Sequence, residues 1–88
     1  MSDRVQVKVL FFAKCREIAG VGTVLHSLPP RVDHQSLLDE ICDKFGLGDI
    51  RENLIVAVNE EYCSKDSGEI IEIKEGDEIA IIPPISGG

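Results

Sequence analysis

Glu75-Gly76-Asp77-Glu78-Ile79-Ala80-Ile81-Ile82-Pro83-Pro84-Ile85-Ser86-Gly87-Gly88 decides how the rest of the chain is read. An apolar strand runs from a Glu75-Gly76-Asp77 turn to Ile82, and two prolines stop it. Proline lacks the N–H that a sheet ladder needs and holds φ near −65°, so Pro83-Pro84 ends pairing and directs the chain outward as a stiff, extended spacer. The six residues from Pro83 to Gly88, at roughly 3.1–3.6 Å each, reach roughly 20 Å, far enough to enter another protein's active site. Gly87 and Gly88 lack a Cβ, so the last two units are narrow and can approach a partner's backbone closely. No side chain from Ile79 to Gly88 ionises, which leaves the Gly88 carboxylate as the reactive group of this stretch. Chain ends are commonly rich in small residues without purpose. The weight therefore rests on the combination of strand, proline stop and uncharged reach. A carboxylate presented this way suits activation as an acyl phosphate or acyl adenylate, followed by transfer to a nucleophile.

Working back from that strand, the rest of the chain supplies its partners. Val5, Val7, Val9 and Phe11 alternate with Gln6 and Lys8, the period of a half-buried strand. At Leu10 and Phe12 the second face turns apolar too, and either this chain or a partner should cover it. Ala13 to Ala19 reads as a short helix that packs down through Ile18 and Ala19, ended by Gly20-Val21-Gly22. Thr23 to Leu28 is a second strand, stopped by Pro29-Pro30, and pairs with the first as a hairpin. Asp33 is the expected N-cap of the main helix, whose stripe Leu37, Leu38, Ile41, Cys42 and Phe45 faces a core, with Gly46 as its stop. Asp39, Glu40, Asp43 and Lys44 take its solvent side. Leu54 to Val58 is continuously apolar, the pattern of a strand covered on both faces. Asn59 to Tyr62 turns into a short edge segment, Cys63 to Gly68 is expected to be loop, and Glu69 to Ile73 adds a short irregular piece. The order β-β-α-β-(β)-β gives an α+β domain, one main helix across a mixed sheet of four to five strands. The domain should span residues 1–82, with 83–88 as its extended tail.

Eighty-eight residues make one small domain that buries about 60–65% of its unfolded surface. No apolar run is long enough to span a membrane, and no charged-then-apolar leader opens the chain, so the expected compartment is the cytosol. Cys15, Cys42 and Cys63 are widely spaced and odd in number, which disfavours a disulfide framework or a structural zinc site. No metal site is expected. A sulfur relay through Cys15 or Cys63 is the lesser reading beside ordinary free thiols. His26 and His34 have no companion acid or thiol at motif spacing and are read as surface residues. The net charge is −7, and Glu60 to Glu78 holds eight acids against Lys65 and Lys74. Phosphate backbones would be repelled, which argues against nucleic acid and favours a basic protein surface.

Val9-Leu10-Phe11-Phe12-Ala13-Lys14, Arg16 to Gly20, Ala57-Val58-Asn59, and Gly76 to Ala80 leading into Pro83-Pro84-Ile85-Ser86-Gly87-Gly88 together resemble the small subunits of molybdopterin synthase, nearly the whole chain being involved. The resemblance implies the β-grasp fold of ubiquitin. It implies that a ubiquitin-activating-type adenylyltransferase and sulfurtransferase uses ATP to adenylate the Gly88 carboxylate and converts it to a thiocarboxylate. It further implies that the thiocarboxylate gives sulfur to cyclic pyranopterin monophosphate inside the large subunit, building the dithiolene that later holds molybdenum, in a heterotetramer of two large and two small subunits. By the same resemblance Gly88 carries the sulfur, with a transient isopeptide as a further state. Gly87, Ser86, Ile85, Pro84 and Pro83 form the threaded tail. Phe11, Phe12, Ile81 and Ile82 are the expected docking surface. No basic or His cluster able to grip a phosphate occurs in the sequence, which fits a carrier with no permanently bound cofactor whose chemistry comes from its partner. A sulfur carrier for thiamine or tRNA thiolation, a ubiquitin-like modifier joined to lysines through Gly88, and an interaction module with an inert tail are the alternatives.

Overall fold

A computed structural model describes residues 4–63 and 70–83 of the chain. Strand β1 (Val5–Phe11) leads into helix α1 (Ala13–Ala19), followed by β2 (Thr23–Leu28), β3 (Arg31–Asp33) and helix α2 (His34–Phe45). A 3-10 segment, Gly48–Asn53, precedes β4 (Ile55–Val58), β5 (Glu61–Cys63), β6 (Ile70–Glu72) and β7 (Glu78–Ile82). Five strands form one mixed sheet in the order β2-β1-β7-β4-β5, and β3 with β6 forms a separate two-stranded ribbon. The mixed sheet with one main helix matches the order of elements read from the sequence, and its topology is the β-grasp arrangement that the resemblance implies.

The sheet follows from alternation. Val7, Val9 and Phe11 of β1, Val56 of β4 and Ile79 and Ile81 of β7 share one face and are buried there with Leu37, Leu38, Ile41 and Cys42 of α2. Side chains two apart lie on the same face of a strand, and those three or four apart on the same face of a helix, so these spacings meet in one core. Phe45 joins its edge, with its ring 4.9 Å from that of Phe11 in an edge-to-face pair. Helix α2 begins as the sequence predicts, with Asp33 Oδ1 accepting the Ser36 N–H at 2.6 Å, and stops at Gly46, whose φ of 76° only glycine adopts freely.

Strand β7 lies at the centre, parallel to β1 on one side and antiparallel to β4 on the other. The last of the described strands is thereby paired along both edges. A parallel pair requires a crossover rather than a tight turn, and everything between β1 and β7 serves as that crossover.

Several expectations are corrected. In α1, Cys15 rather than Ile18 is fully buried, and Ile18 is 37% exposed. Cys15 and Ala19 stand four apart and share the inward face of a helix only seven residues long, which leaves Ile18 at its margin. The run Leu54 to Val58 is covered on the core face but only in part on the other, where Ala57 is buried and Ile55 is 37% exposed. Val56 points into the core while Ile55 remains exposed. The histidines are not surface residues. His34 is buried and lines a hollow with Arg51 and Glu52 of the 3-10 segment. The His26 side chain is only 14% exposed, 2.8 Å from Glu40 Oε2 and edge-on to Phe45. Glu40 also pairs with Arg4, which donates to the Ser27 carbonyl at 2.6 Å and so occupies one acceptor on the free edge of β2. Strand β6 falls within the short irregular piece expected over Glu69 to Ile73, whereas β3 and the 3-10 segment had no foreseen counterpart, because so short a stretch gives no period to register.

Candidate functional site: the outer sheet face at the root of the tail

The end of β7 is where the tail begins. Pro83 is described and half-buried. Pro84, Ile85, Ser86, Gly87 and Gly88 lie outside the described residues, so the expected adenylation, thiocarboxylate and threading roles fall outside them too. What the structure shows is the platform from which the tail departs. Ile82 is paired with Ile55 across β4, and Ile81 with Phe11 across β1, so the departure point is fixed from both sides.

The pleat divides the four expected docking residues. Phe11 and Ile81 are 3% and 0% exposed and belong to the core. Each is followed by a residue on the opposite face: Phe12 is 45% exposed, and Ile82 is half-buried. Phe11 and Ile81 are therefore corrected from surface to core, and Phe12 and Ile82 remain at the surface. The reason is the two-residue period of a strand, which sends neighbours to opposite faces.

Around Phe12 and Ile82 the outer face is apolar beyond what the sequence reading gathered. Leu10 of β1, Ala80 of β7, Ala57 of β4 and Tyr62 of β5 are successive cross-strand partners and make a row across four strands. Leu25, 60% exposed, extends the face onto β2. The signal in the sequence was the apolar residues at the off-core positions, Leu10, Phe12 and Ile55. Lys8 and Glu78 close one end of this face at 3.9 Å from each other, an exposed pair of small energetic weight.

Phe12 and Ala13 make the bend between β1 and α1. Phe12 donates its N–H to the Ile81 carbonyl at 3.3 Å, and Ala13 takes a φ of 49°, in the left-handed region that L-residues avoid. This bend puts α1 beside the end of β7, with which it is in contact.

The thiols supply no second reactive centre. Burial pushes the Cys15 thiol up to about 11, with neighbouring Cys42 adding to the effect. Burial likewise raises the thiols of Cys42 and Cys63. All three are protonated near neutral pH and poor nucleophiles, so a sulfur relay through Cys15 does not fit its place in the core. Among the described residues, no cluster of three or more His, Cys, Asp or Glu side chains is arranged to hold a metal ion, and no helix is long and apolar enough to cross a membrane.

Comparison with known proteins places this geometry. The chain is 52% identical to the molybdopterin synthase sulfur carrier subunit of Anopheles gambiae, over 99% of this chain and 97% of that one. In structure it is similar to small archaeal modifier protein 1 of Methanosarcina acetivorans, with 25% identity, a TM-score of 0.75, and 99% of this chain and 100% of that one covered. It also shares its fold with a chain in the complex of subunits 1 and 2 of the molybdopterin-converting factor of Helicobacter pylori, with 23% identity, a TM-score of 0.65, and 96% and 100% covered. The model of the ThiS family matches residues 9–88, from the middle of β1 through the final glycine, and the chain belongs to that family of ubiquitin-like β-grasp proteins.

Proposed function

We propose that this chain is the sulfur-carrier subunit of molybdopterin synthase. Its likeness to the Anopheles gambiae sulfur carrier subunit, 52% identical along almost the entire length of both, is the observation that carries the reading. In this reading the Gly88 carboxylate attacks the α-phosphate of ATP on an activating enzyme and releases pyrophosphate. A sulfur nucleophile then displaces AMP, leaving a thiocarboxylate. The tail enters the large subunit and delivers its sulfur to cyclic pyranopterin monophosphate, and the groups that activate the pterin belong to that subunit. Phe12 and Ile82, at the root of the tail, are the apolar contacts that seat the body while Pro83 to Gly88 reach inward. A cytosolic place follows from the same reading.

The experiment is the intact mass of the chain after incubation with an activating enzyme, ATP and a sulfur donor. The expected result is the mass change of one oxygen replaced by sulfur, absent when Gly88 is deleted. An unchanged mass with an enzyme that is competent on its own carrier overturns the reading. The likeness to small archaeal modifier protein 1 favours one second reading, attachment to lysines through Gly88. Its signature is a ladder of covalent conjugates on denaturing gels of cell extracts, and a single free band opposes it.

A further inference from the structure

The main sheet has two outer edges, β2 and β5. Strand β5 is three residues long and opens on Glu61, and an edge that short and charged offers little to another strand. Strand β2 is six residues long, Thr23-Val24-Leu25-His26-Ser27-Leu28, with no Lys, Arg, Asp, Glu or Pro in it. The hydrogen bond from the Phe11 N–H to the Gly22 carbonyl, 2.8 Å long, fixes which backbone groups face which way. Bonded residues alternate along an antiparallel pair, so in this register Gly22, Val24, His26 and Leu28 turn their N–H and carbonyl groups to β1. Thr23, Leu25 and Ser27 turn theirs outward, and among the described residues no strand pairs with them. One side chain crosses that edge. Arg4 donates through Nη2 to the Ser27 carbonyl at 2.6 Å and through Nε to Ser27 Oγ at 3.2 Å, and the same Nη2 pairs with Glu40 of α2. Glu40 Oε2 also lies 2.8 Å from His26 Nε2, so Arg4 is tethered to the helix and to β2 rather than loose in water.

We infer that Arg4, tethered by Glu40, guards the β2 edge, and that the strand it keeps off is β2 of a second copy of this chain. The inference stands apart from the sulfur-carrier reading. Strand β2 is self-complementary about Leu25. A two-fold antiparallel pairing centred there sets Leu25 against Leu25 and Thr23 against Ser27, the residues whose backbone groups are open. No like charges meet in that pairing, because the net charge of −7 is carried outside β2. Leucines that are 60% exposed in the single chain come side by side on one face, and hydroxyls come opposite hydroxyls. A second copy supplies this match by symmetry, whereas an unrelated strand must supply it residue by residue. The guard stands at both ends of the pairing. The Ser27 carbonyl that Arg4 occupies in each chain is the acceptor that the Thr23 N–H of the other chain needs. Charge laid over an edge is a common defence against strand addition, and here it is brought from outside a strand that has none of its own.

Sedimentation velocity of the full chain tests this over a concentration range of roughly 10 μM to 1 mM, which spans weak self-association. Wild type, Arg4→Ala, Glu40→Ala, and Arg4→Ala combined with Leu25→Pro are compared. Wild type is expected to stay monomeric. Arg4→Ala is expected to dimerise, self-association strengthening roughly 10-fold or more because each of the two chains regains a backbone acceptor. Glu40→Ala removes the tether without altering Arg4 or β2 and shifts association in the same direction, which keeps the test decisive if Arg4→Ala folds poorly. Leu25→Pro removes an N–H that faces away from β1, so it spares the β1–β2 ladder while breaking the centre of the dimer. The combined variant is therefore expected to return to monomer. If Arg4→Ala and Glu40→Ala both remain monomeric at the highest concentration, the edge needs no guard and the inference falls. It falls equally if wild type already dimerises through β2, or if the Arg4→Ala dimer survives Leu25→Pro.

Discussion

Asn59 and Glu78 are joined by two hydrogen bonds: the Asn59 N–H donates to the Glu78 carbonyl at 2.8 Å, and the Glu78 N–H donates to Asn59 Oδ1 at 3.0 Å. Asn59 and Glu60 have φ of 50° and 71° and form the two-residue turn between β4 and β5, where Val58 pairs with Glu61. Both positive φ values match the type I′ turn that suits a twisted hairpin, and asparagine tolerates the first position well. The clasp ties that turn to the start of the strand that carries the tail. Asn59→Ala removes the bond from the Glu78 N–H and the side-chain bond to Asp77 and strains the turn, and should cost roughly 1–2 kcal/mol in urea unfolding. Glu60→Gly relieves the second left-handed position and should stabilise by roughly 0.5–1 kcal/mol.

Adjacent residues at the end of β7 should behave oppositely. Ile81→Ala opens a cavity in the core and is expected to cost roughly 2–5 kcal/mol. Ile82→Ala, on the outer face, should change stability by less than about 1 kcal/mol and lower affinity for the large subunit. Phe11→Ala and Phe12→Ala should divide in the same way. Equal losses of stability in the two pairs would contradict the pleat assignment.

Ala13 marks the bend into α1 with a left-handed φ of 49°. Such a conformation costs an L-residue roughly 1–2 kcal/mol. Ala13→Gly should be neutral or stabilising in thermal unfolding. Ala13→Val, with a branched Cβ at the same φ, should destabilise clearly.

Acid should weaken the fold through two carboxyls. Asp33 lies below the usual carboxyl value of 3.8 because it accepts the Ser36 N–H and then the Ser36 side chain. Asp77 is lowered by the Lys74 N–H, 2.8 Å from Oδ2, and next by the Asn59 side chain. A group depressed in the folded state contributes stability that is complete above its unfolded value and lost as pH falls through the folded one. Stability is therefore expected to decline below about pH 4, and Asp33→Asn combined with Asp77→Asn should flatten the decline between pH 5 and pH 2 in urea titrations.

Thiol labelling reads the core directly. With Cys15 fully buried and its thiol pushed up to about 11, and Cys42 almost as buried, a disulfide reagent at pH 7 should reach Cys63 first. Cys15 and Cys42 should react only as fast as the protein opens. Rapid labelling of Cys15 in the native protein would contradict its place in the core.

Local pattern in the sequence determined most of the secondary structure. The alternation Val5 to Phe11, the stripe Leu37 to Phe45 between Asp33 and Gly46, and the end of β7 at Ile82 before Pro83 are each written within a short stretch, and each formed where its period and caps indicate. The carrier reading drew on the same stretch, Pro83-Pro84 followed by Gly87-Gly88, together with the family resemblance of the segments before it. What tertiary structure alone decided is which residues became neighbours. Ala57 and Ala80 are 23 positions apart, and only the pairing of β4 with β7 sets them side by side on the outer sheet face. Phe11 and Phe12 are adjacent and equally apolar, and only the burial of one sheet face makes the first core and the second surface. His34 was drawn inside by a 3-10 segment with too short a pattern to read. Period and capping act over one or two turns of chain, whereas a site on a sheet face is assembled by strand order, which depends on the burial of all the strands at once.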